Sequence, residues 1–265
     1  MRYALISDIH ANLAALEAVL THLDVSTVDE IWCLGDVVGY GPDPNECVER
    51  LRELPHRCIA GNHDWAVLGK LDLEDFNADA QRACLWTQEQ LTPASLAYLQ
   101  GLEERIVEGD FTLVHGSPRH PIWEYVIYPS IAQTNFAHFD TSYCFVGHSH
   151  VPVIFRDLGS EVATARILTA TARVGFEPAA SAGEVDVRPF EVGVPLSLGE
   201  RRLIINPGSV GQPRDGDPRA SYVILDVEAS TIEYRRVPYP VEETQRKMAR
   251  AGLPPRLIVR LSYGW

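Results

Sequence analysis

The stretch Leu34-Gly35-Asp36-Val37-Val38-Gly39-Tyr40-Gly41 continues a short apolar run, Ile31-Trp32-Cys33, and breaks at a glycine followed at once by an aspartate. A buried parallel strand reads this way when it delivers a carboxylate to the carboxyl edge of a sheet, where open α/β sheets place their ligands. An Asp after a Gly is by itself an ordinary turn or helix cap. Four further apolar runs end in the same manner, at Ile6-Ser7-Asp8-Ile9-His10, Ile59-Ala60-Gly61-Asn62-His63-Asp64, Leu113-Val114-His115-Gly116 and Val146-Gly147-His148-Ser149-His150. Five junctions that deliver only Asp, Asn and His as strong ligand types point to a metal centre, with Asp36 as the bridging carboxylate.

Around these junctions the pattern alternates. A strand over 3–7 leads to Asn12 and a helical face of Leu13, Leu16, Val19, Leu20 and Leu23, then a strand over 30–34. Asp43-Pro44-Asn45-Glu46 combines a cap, a proline at the first helical position and a following acid. A helix with Cys47, Val48, Leu51 and Leu54 inward and a strand over 56–60 complete a βαβαβ run. Residues 77–100 read as helix broken at Thr92-Pro93, with strands near 111–114 and 143–146. Between them Ser117–Asp140 is a long, aromatic connection, suited to a lid or binding loop and equally to packing. From Val151 the chain turns β-rich, with strands at 151–156, 202–205, 221–227 and 231–237. Residues 157–200 form a β-rich insertion of strands or hairpins, and 238–265 a tail with an amphipathic helix near 241–251.

The 265 residues fit one domain, and 46% hydrophobic content supports a sizeable core. A formal charge of −13 disfavours an extended nucleic-acid surface, which draws its affinity from clustered Lys and Arg. A small anion remains a candidate ligand if metals supply the positive centre. Neither a signal peptide nor a membrane span is read in the sequence, and five cysteines without Cys-x-x-Cys spacing read as reduced buried thiols, so a cytoplasmic protein is expected. Homo-oligomerisation is left open.

In order and approximate spacing, the blocks Asp8-x-His10, Gly35-Asp36, Gly61-Asn62-His63-Asp64, His115 and Gly147-His148-Ser149-His150 resemble those of the calcineurin-like metallophosphoesterases. Ile205–Arg214 is similar to the C-terminal part of the small bacterial and archaeal phosphodiesterase branch. The resemblance implies a single domain over 1–265 with a four-layer α/β/β/α sandwich of two mixed β-sheets flanked by helices. It implies two divalent transition metal ions, drawn from Mn, Fe, Co, Ni or Zn. One would take Asp8, His10, His150 and the shared Asp36; the other Asp36, Asn62, His115 and His148. The implied reaction is hydrolysis of a small phosphate ester by in-line attack of a metal-bound hydroxide, with His63 aiding the leaving oxygen.

The Ser/Thr protein phosphatases of that superfamily carry an Asp-Arg pair where this chain has Gly39-Tyr40, a departure that favours phosphodiesters over phosphomonoesters. Nucleotide or dinucleoside polyphosphate hydrolysis and phosphomonoester hydrolysis are the alternatives. A non-catalytic scaffold, as in the retromer subunit of this fold, is disfavoured because His63 and the ligand set are intact. Other candidates each have a competing structural role. Asn62 is a substrate contact as well as a ligand; Asp64 either orients His63 or caps a helix; Asn12 touches phosphate or caps a helix, the cap being favoured. Arg119 and Arg214 either grip phosphate or are surface arginines. Tyr40 stacks a base or packs, and Asn206 and Ser209 brace a Pro-Gly turn. Of the remaining histidines, His22, His56 and His138 read as structural or solvent-facing, and only His120 is held as a remote pocket residue.

Overall fold

The computed structural model describes residues 1–159 and 185–265. Among the described residues, twelve strands form two six-stranded mixed sheets. The first has the order β3-β2-β1-β11-β12-β9, where β1 is Arg2–Ile6, β2 Glu30–Cys33, β3 His56–Cys58, β9 Pro195–Ser197, β11 Ala220–Asp226 and β12 Thr231–Val237. The second runs β4-β5-β6-β10-β7-β8, where β4 is Arg105–Glu108, β5 Phe111–Val114, β6 Tyr143–Phe145, β7 Val153–Asp157, β8 Val185–Arg188 and β10 Leu203–Asn206. The strands that feed the five junctions pair in parallel, β1 with β2, β2 with β3 and β5 with β6, so all five loops leave the same edges.

The apolar runs are unbroken because these strands are buried on both faces, and the period of two divides each run between layers. Tyr3 and Leu5 of β1, Leu113 of β5 and Ile205 of β10 meet in the core between the sheets. Ala4 and Ile6 turn instead to the helices over the first sheet, and Val114 and Ile204 to the cover of the second. Among the described residues the outer layers contain eight α-helices: α1 Leu13–Leu23, α2 Pro44–Arg52, α3 Asn62–Val67, α4 Ala78–Gln90, α5 Pro93–Gln100, α6 Pro129–Asn135, α7 Val241–Arg250 and α8 Pro255–Arg260. The expected four-layer α/β/β/α sandwich is the observed architecture. No described helix is long and apolar enough to cross a membrane.

Several local expectations change. The 117–140 connection contains α6, which packs on β7 and β8 and, with Phe136 just after it, buries Ala132 over the second sheet. Its start at Pro129 is a first-turn proline. Asp43 precedes α2 but makes no side-chain cap hydrogen bond; its carboxylate instead accepts Lys247 Nζ of α7 at 3.1 Å, linking two segments distant in sequence. The tail beyond the helix near 241–251 contains a second short helix, α8, again begun by proline. Strand β4 went unrecognised because it is a half-exposed edge. Of the 157–200 insertion, β8 extends the second sheet and β9 the first; its residues 160–184 lie outside the described residues.

Candidate metal centre

The loops after β1, β2 and β3 carry Asp8, His10, Asp36 and Asn62, and those after β5 and β6 carry His115, His148 and His150, so both sheets contribute to one buried cluster. The loops keep extending the strand pairing as they leave the sheet, with Asp8 N donating to Gly35 O at 3.1 Å and His10 N to Asp36 O at 2.9 Å. Between the sheets, His148 N donates to the Asp8 carboxylate at 3.2 Å. Five of these side chains sit on left-handed backbone: Asp8, His10, Asp36, His148 and His150 have φ of 54°, 49°, 54°, 64° and 60°. Non-glycine residues in that region carry strain of roughly 1–3 kcal/mol each, which persists only where the surroundings enforce it.

The polar atoms converge at the spacing of ligands around a common centre. Asp36 Oδ2 lies 3.5 Å from His10 Nε2 and 3.4 Å from His115 Nε2. His150 Nε2 is 3.3 Å from Asp8 Oδ1, and Asn62 Oδ1 is 3.0 Å from His115 Nε2. Asp8, His10 and His150 form one group able to hold a metal, and Asp36, His115 and His148 another; a third combines His10, Asp36 and His63. The first two are the sets expected from the sequence, apart from the amide of Asn62 and the shared Asp36.

Tautomers test the fit to a cation. His10, His115 and His150 each place Nδ1 near a backbone carbonyl, of Val38 at 3.2 Å, Leu34 at 2.7 Å and Gln212 at 2.5 Å. An Nδ1–H that donates to a carbonyl leaves Nε2 with a lone pair, the usual arrangement of a metal-binding histidine. The Nε2 atoms of His10 and His150 then face each other at 3.1 Å. Two lone pairs so placed repel unless a cation lies between them. Asp36 Oδ2 and His148 Nε2 are buried without any hydrogen-bond partner. The residues therefore fit a metal, and mixed imidazole, carboxylate and amide donors without thiolate suit a first-row transition ion.

The charges agree. Burial, with opposing help from Asp36 for His10 and His148, holds His10, His148 and His150 well below the ordinary imidazole range, so they are neutral. Burial also acts to lower His115, but the negative charges of Asp36 and, less, Asp8 outweigh it and hold this imidazole up at about 9. Without metal, a proton on His115 is what offsets the buried carboxylate. Burial and the neighbouring Asp36 push Asp8 up to about 7. Burial opposes ionisation of Asp36 too, yet His115, His63 and His10 together keep its carboxyl below the usual carboxylate range.

His63, at the start of α3, lines the 310 Å³ cavity above Asp36 together with Tyr40, Trp123, Tyr125 and Arg214. Burial pushes its pKa down to about 4. Tyr40 packs on it at 4.2 Å between ring centroids, and the Cys84 thiol of α4 approaches its Nδ1 at 3.4 Å. The local fold depends on Gly61, where an added Cβ would fall 2.1 Å from Asp36 Oδ1.

The structure separates the remaining candidates. Asp64 does not touch His63; its carboxylate accepts the N–H groups of Asp36 at 2.8 Å, Gly61 at 2.9 Å and Val38 at 3.2 Å, the cap-like alternative. Asn12 caps α1 through Ala15 N and also binds Gly211 O and Thr244 Oγ1, so its amide is used within the protein. Arg119 pairs with Glu124 and lies off the cavity wall, whereas Arg214 lines it. Asn206 donates to Gly147 O at 2.6 Å and Ser209 to Asp8 O at 2.9 Å, bracing two of the ligand loops. His120 is not on the cavity wall. Sequence reading missed Phe76, which packs on His63, and Cys84, whose only sequence signal was burial on a helix face. The aromatic density of 117–140 had flagged the segment that supplies Trp123 and Tyr125.

Comparisons with known proteins give the chain's family. A metallophosphoesterase from Sphaerobacter thermophilus, known from its crystal structure, is 46% identical with a TM-score of 0.83, covering 100% of this chain and 99% of that one. An uncharacterized protein of Methanocaldococcus jannaschii, MJ0912, is 38% identical over 98% of this chain and 97% of its own. A symmetrical bis(5'-nucleosyl)-tetraphosphatase of Photorhabdus laumondii is 38% identical over 68 residues, 24% of this chain and 25% of that protein. Residues 1–176 match the family model of the calcineurin-like phosphoesterase superfamily domain, and the chain belongs to that superfamily.

Proposed function

We propose that this protein is a binuclear metal-dependent phosphoesterase that prefers phosphodiesters. The observation that carries the reading is Asp36 Oδ2, buried, without a hydrogen-bond partner, 3.5 Å from His10 Nε2 and 3.4 Å from His115 Nε2, one histidine from each expected ligand set. A carboxylate so placed suits a shared ligand. Asp8, His10 and His150 would complete one position, and Asn62, His115 and His148 the other. Such a pair supplies Lewis acidity and a water nucleophile active near neutral pH.

The chain's own residues do the rest. Carbonyls of Val38, Leu34 and Gln212 keep three ligand imidazoles in the tautomer that offers Nε2. Burial pushes the Cys84 thiol up to about 12, so it stays protonated and can donate to His63 Nδ1. That leaves the N–H of a neutral His63 on Nε2, able to donate a hydrogen bond to a leaving oxygen and stabilise charge on it. Trp123 and Tyr125 wall the cavity. Gly39-Tyr40 replaces an Asp-Arg pair with a neutral aromatic surface, which suits a phosphate with one charge fewer. Hydrolysis of nucleotide or dinucleoside polyphosphates is the second reading, supported by the partial likeness to the P. laumondii tetraphosphatase. Five buried free thiols support a reducing, cytoplasmic setting.

The test is hydrolysis of an aryl phosphodiester and the matching monoester by protein stripped with chelator and reloaded with Mn²⁺, Ni²⁺ or Zn²⁺. Metal-dependent turnover faster on the diester is expected. Faster monoester turnover would overturn the diester preference, and no turnover with confirmed loading would overturn the enzymatic reading.

A further inference from the structure

The metal cavity does not end at its own rim. Tyr40, Asn77, Tyr125 and Arg214 line both that cavity and a larger neighbouring one of 890 Å³, so the two are continuous. The far wall of the second is the segment 255–265, through Arg256, Arg260 and Trp265. The segment is pinned in place. Gly216 N donates to Gly264 O at 2.9 Å, a Cβ on Gly264 would fall 2.6 Å from the Asp217 backbone, and Arg260 Nε donates to the main-chain oxygen of Trp265.

Its charge opposes that of the protein. In a chain of formal charge −13, three guanidiniums and one carboxylate, Asp79, face this cavity. Among the described residues none of Arg214, Arg256 and Arg260 meets a side-chain carboxylate in an ion pair, whereas arginines elsewhere commonly do. Burial first, and then the charge of Arg214 with a smaller share from Arg256, push Arg260 down to about 10, so Arg260 stands close enough to both to feel their charge. Held so, they gain from an anion that lies among them. The same cavity is aromatic. Trp265 is 63% exposed and Tyr125 is 44% exposed, and the Arg214 guanidinium lies 5.8 Å over the Tyr40 ring. Exposed indole and phenol faces beside guanidiniums suit a flat base that carries phosphate.

We infer that this second cavity is a distal substrate subsite, in which Arg214, Arg256 and Arg260 hold a phosphate other than the scissile one and Tyr40, Tyr125 and Trp265 contact an attached aromatic base. The substrate class is thus a disubstituted phosphate, ester or anhydride, with a nucleotide as one arm. This rests on the phosphoesterase reading for the chemistry, in which water adds its oxygen to the scissile phosphorus and a proton to the departing nucleotide oxygen. Arg256, Arg260 and Trp265 lie outside the lining of the metal cavity.

Two measurements decide it. With one metal loaded, the ratio of kcat/KM for diadenosine tetraphosphate to that for bis(4-nitrophenyl) phosphate is compared across the full-length protein, Arg256→Ala and Trp265→Ala. Each exposed substitution should lower the ratio about tenfold, from the loss of a charge-assisted hydrogen bond or a stacked ring. A ratio within twofold of the parent in both variants, with Tm unchanged, overturns the subsite. Separately, ADP binding to the metal-stripped protein is measured by calorimetry. Binding that weakens steeply with salt and about tenfold in Arg256→Ala supports the subsite; equal affinity in parent and variant overturns it. If no ester is hydrolysed with any metal, the catalytic reading fails while ADP binding still decides the subsite.

Discussion

The Asp64 carboxylate accepts the backbone N–H of Asp36 at 2.8 Å, and the same carboxylate takes Val38 N and Gly61 N. It therefore holds the strained turn that presents the bridging candidate, and has no contact with His63. Asp64→Ala should leave three N–H groups unsatisfied at about 1–3 kcal/mol each, lowering Tm sharply. Asp64→Asn should fall between, since an amide retains one acceptor oxygen. A loss of kcat in Asp64→Asn with Tm and metal affinity unchanged would restore a role through His63.

His63 and Asp36 should fail differently. Asp36→Asn is expected to weaken metal binding by more than about 100-fold and abolish turnover. His63→Ala should keep metal and slow turnover by about 10²–10⁴-fold. Metal content by elemental analysis beside kcat separates them; two tightly held metals in Asp36→Asn would remove the bridging role.

Cys84 should matter only through His63. Cys84→Ala removes one weak hydrogen bond, so kcat is expected to fall about fivefold, metal content to be unchanged and Cys84→Ser to recover part of the rate. A Cys84→Ala enzyme with the parental rate and pH profile would show that the thiol does not set the tautomer.

Metal binding should expel a proton. With His115 held at about 9, the stripped protein near pH 7.5 carries an imidazolium that a metal must displace. Calorimetry in buffers of different ionisation enthalpy should report release of about one proton. The folded pKa lies above the ordinary value, so the stability it contributes is complete below about 6.5 and is lost as pH rises through about 9. The Tm gained on adding metal should grow across that window. No proton release, and a constant gain in Tm, would contradict a charged His115.

Glu124 holds the loop that carries Trp123 and Tyr125. Burial works against its ionisation, but hydrogen bonds from Arg119, Asn135 and Ser117 outweigh it and hold the carboxyl down at about 2. A depressed carboxyl contributes stability above its ordinary value near 4.5 that disappears as pH falls toward 2. The Tm difference between parent and Glu124→Gln should be constant above pH 5 and vanish near pH 2. A difference that persists at pH 2 would assign the effect to packing.

The strands that feed the five junctions, the junctions themselves and the residue types they deliver are all readable from the sequence. Those features are local: continuous apolar runs, glycines at the turns and a narrow set of ligand side chains are visible without knowing where the chain goes. From residues 8, 36, 62, 115 and 148 alone, a metal site was legible, and the family resemblance ordered its ligands. What only the tertiary structure decided lies in contacts between distant segments. Asp43 reads as a cap until Lys247 is brought beside it, and Asp64 as either a partner of His63 or a helix cap until the Asp36 and Val38 N–H groups arrive. Arg119 and Arg214 are equivalent loop arginines in sequence; Glu124 withdraws the first, and the pairing of the 206–214 loop with Ser7 and Asp8 brings the second to the cavity. The distal groove of Arg256, Arg260 and Trp265 has no motif, because it exists only where the segment 255–265 folds back over a loop some forty residues earlier.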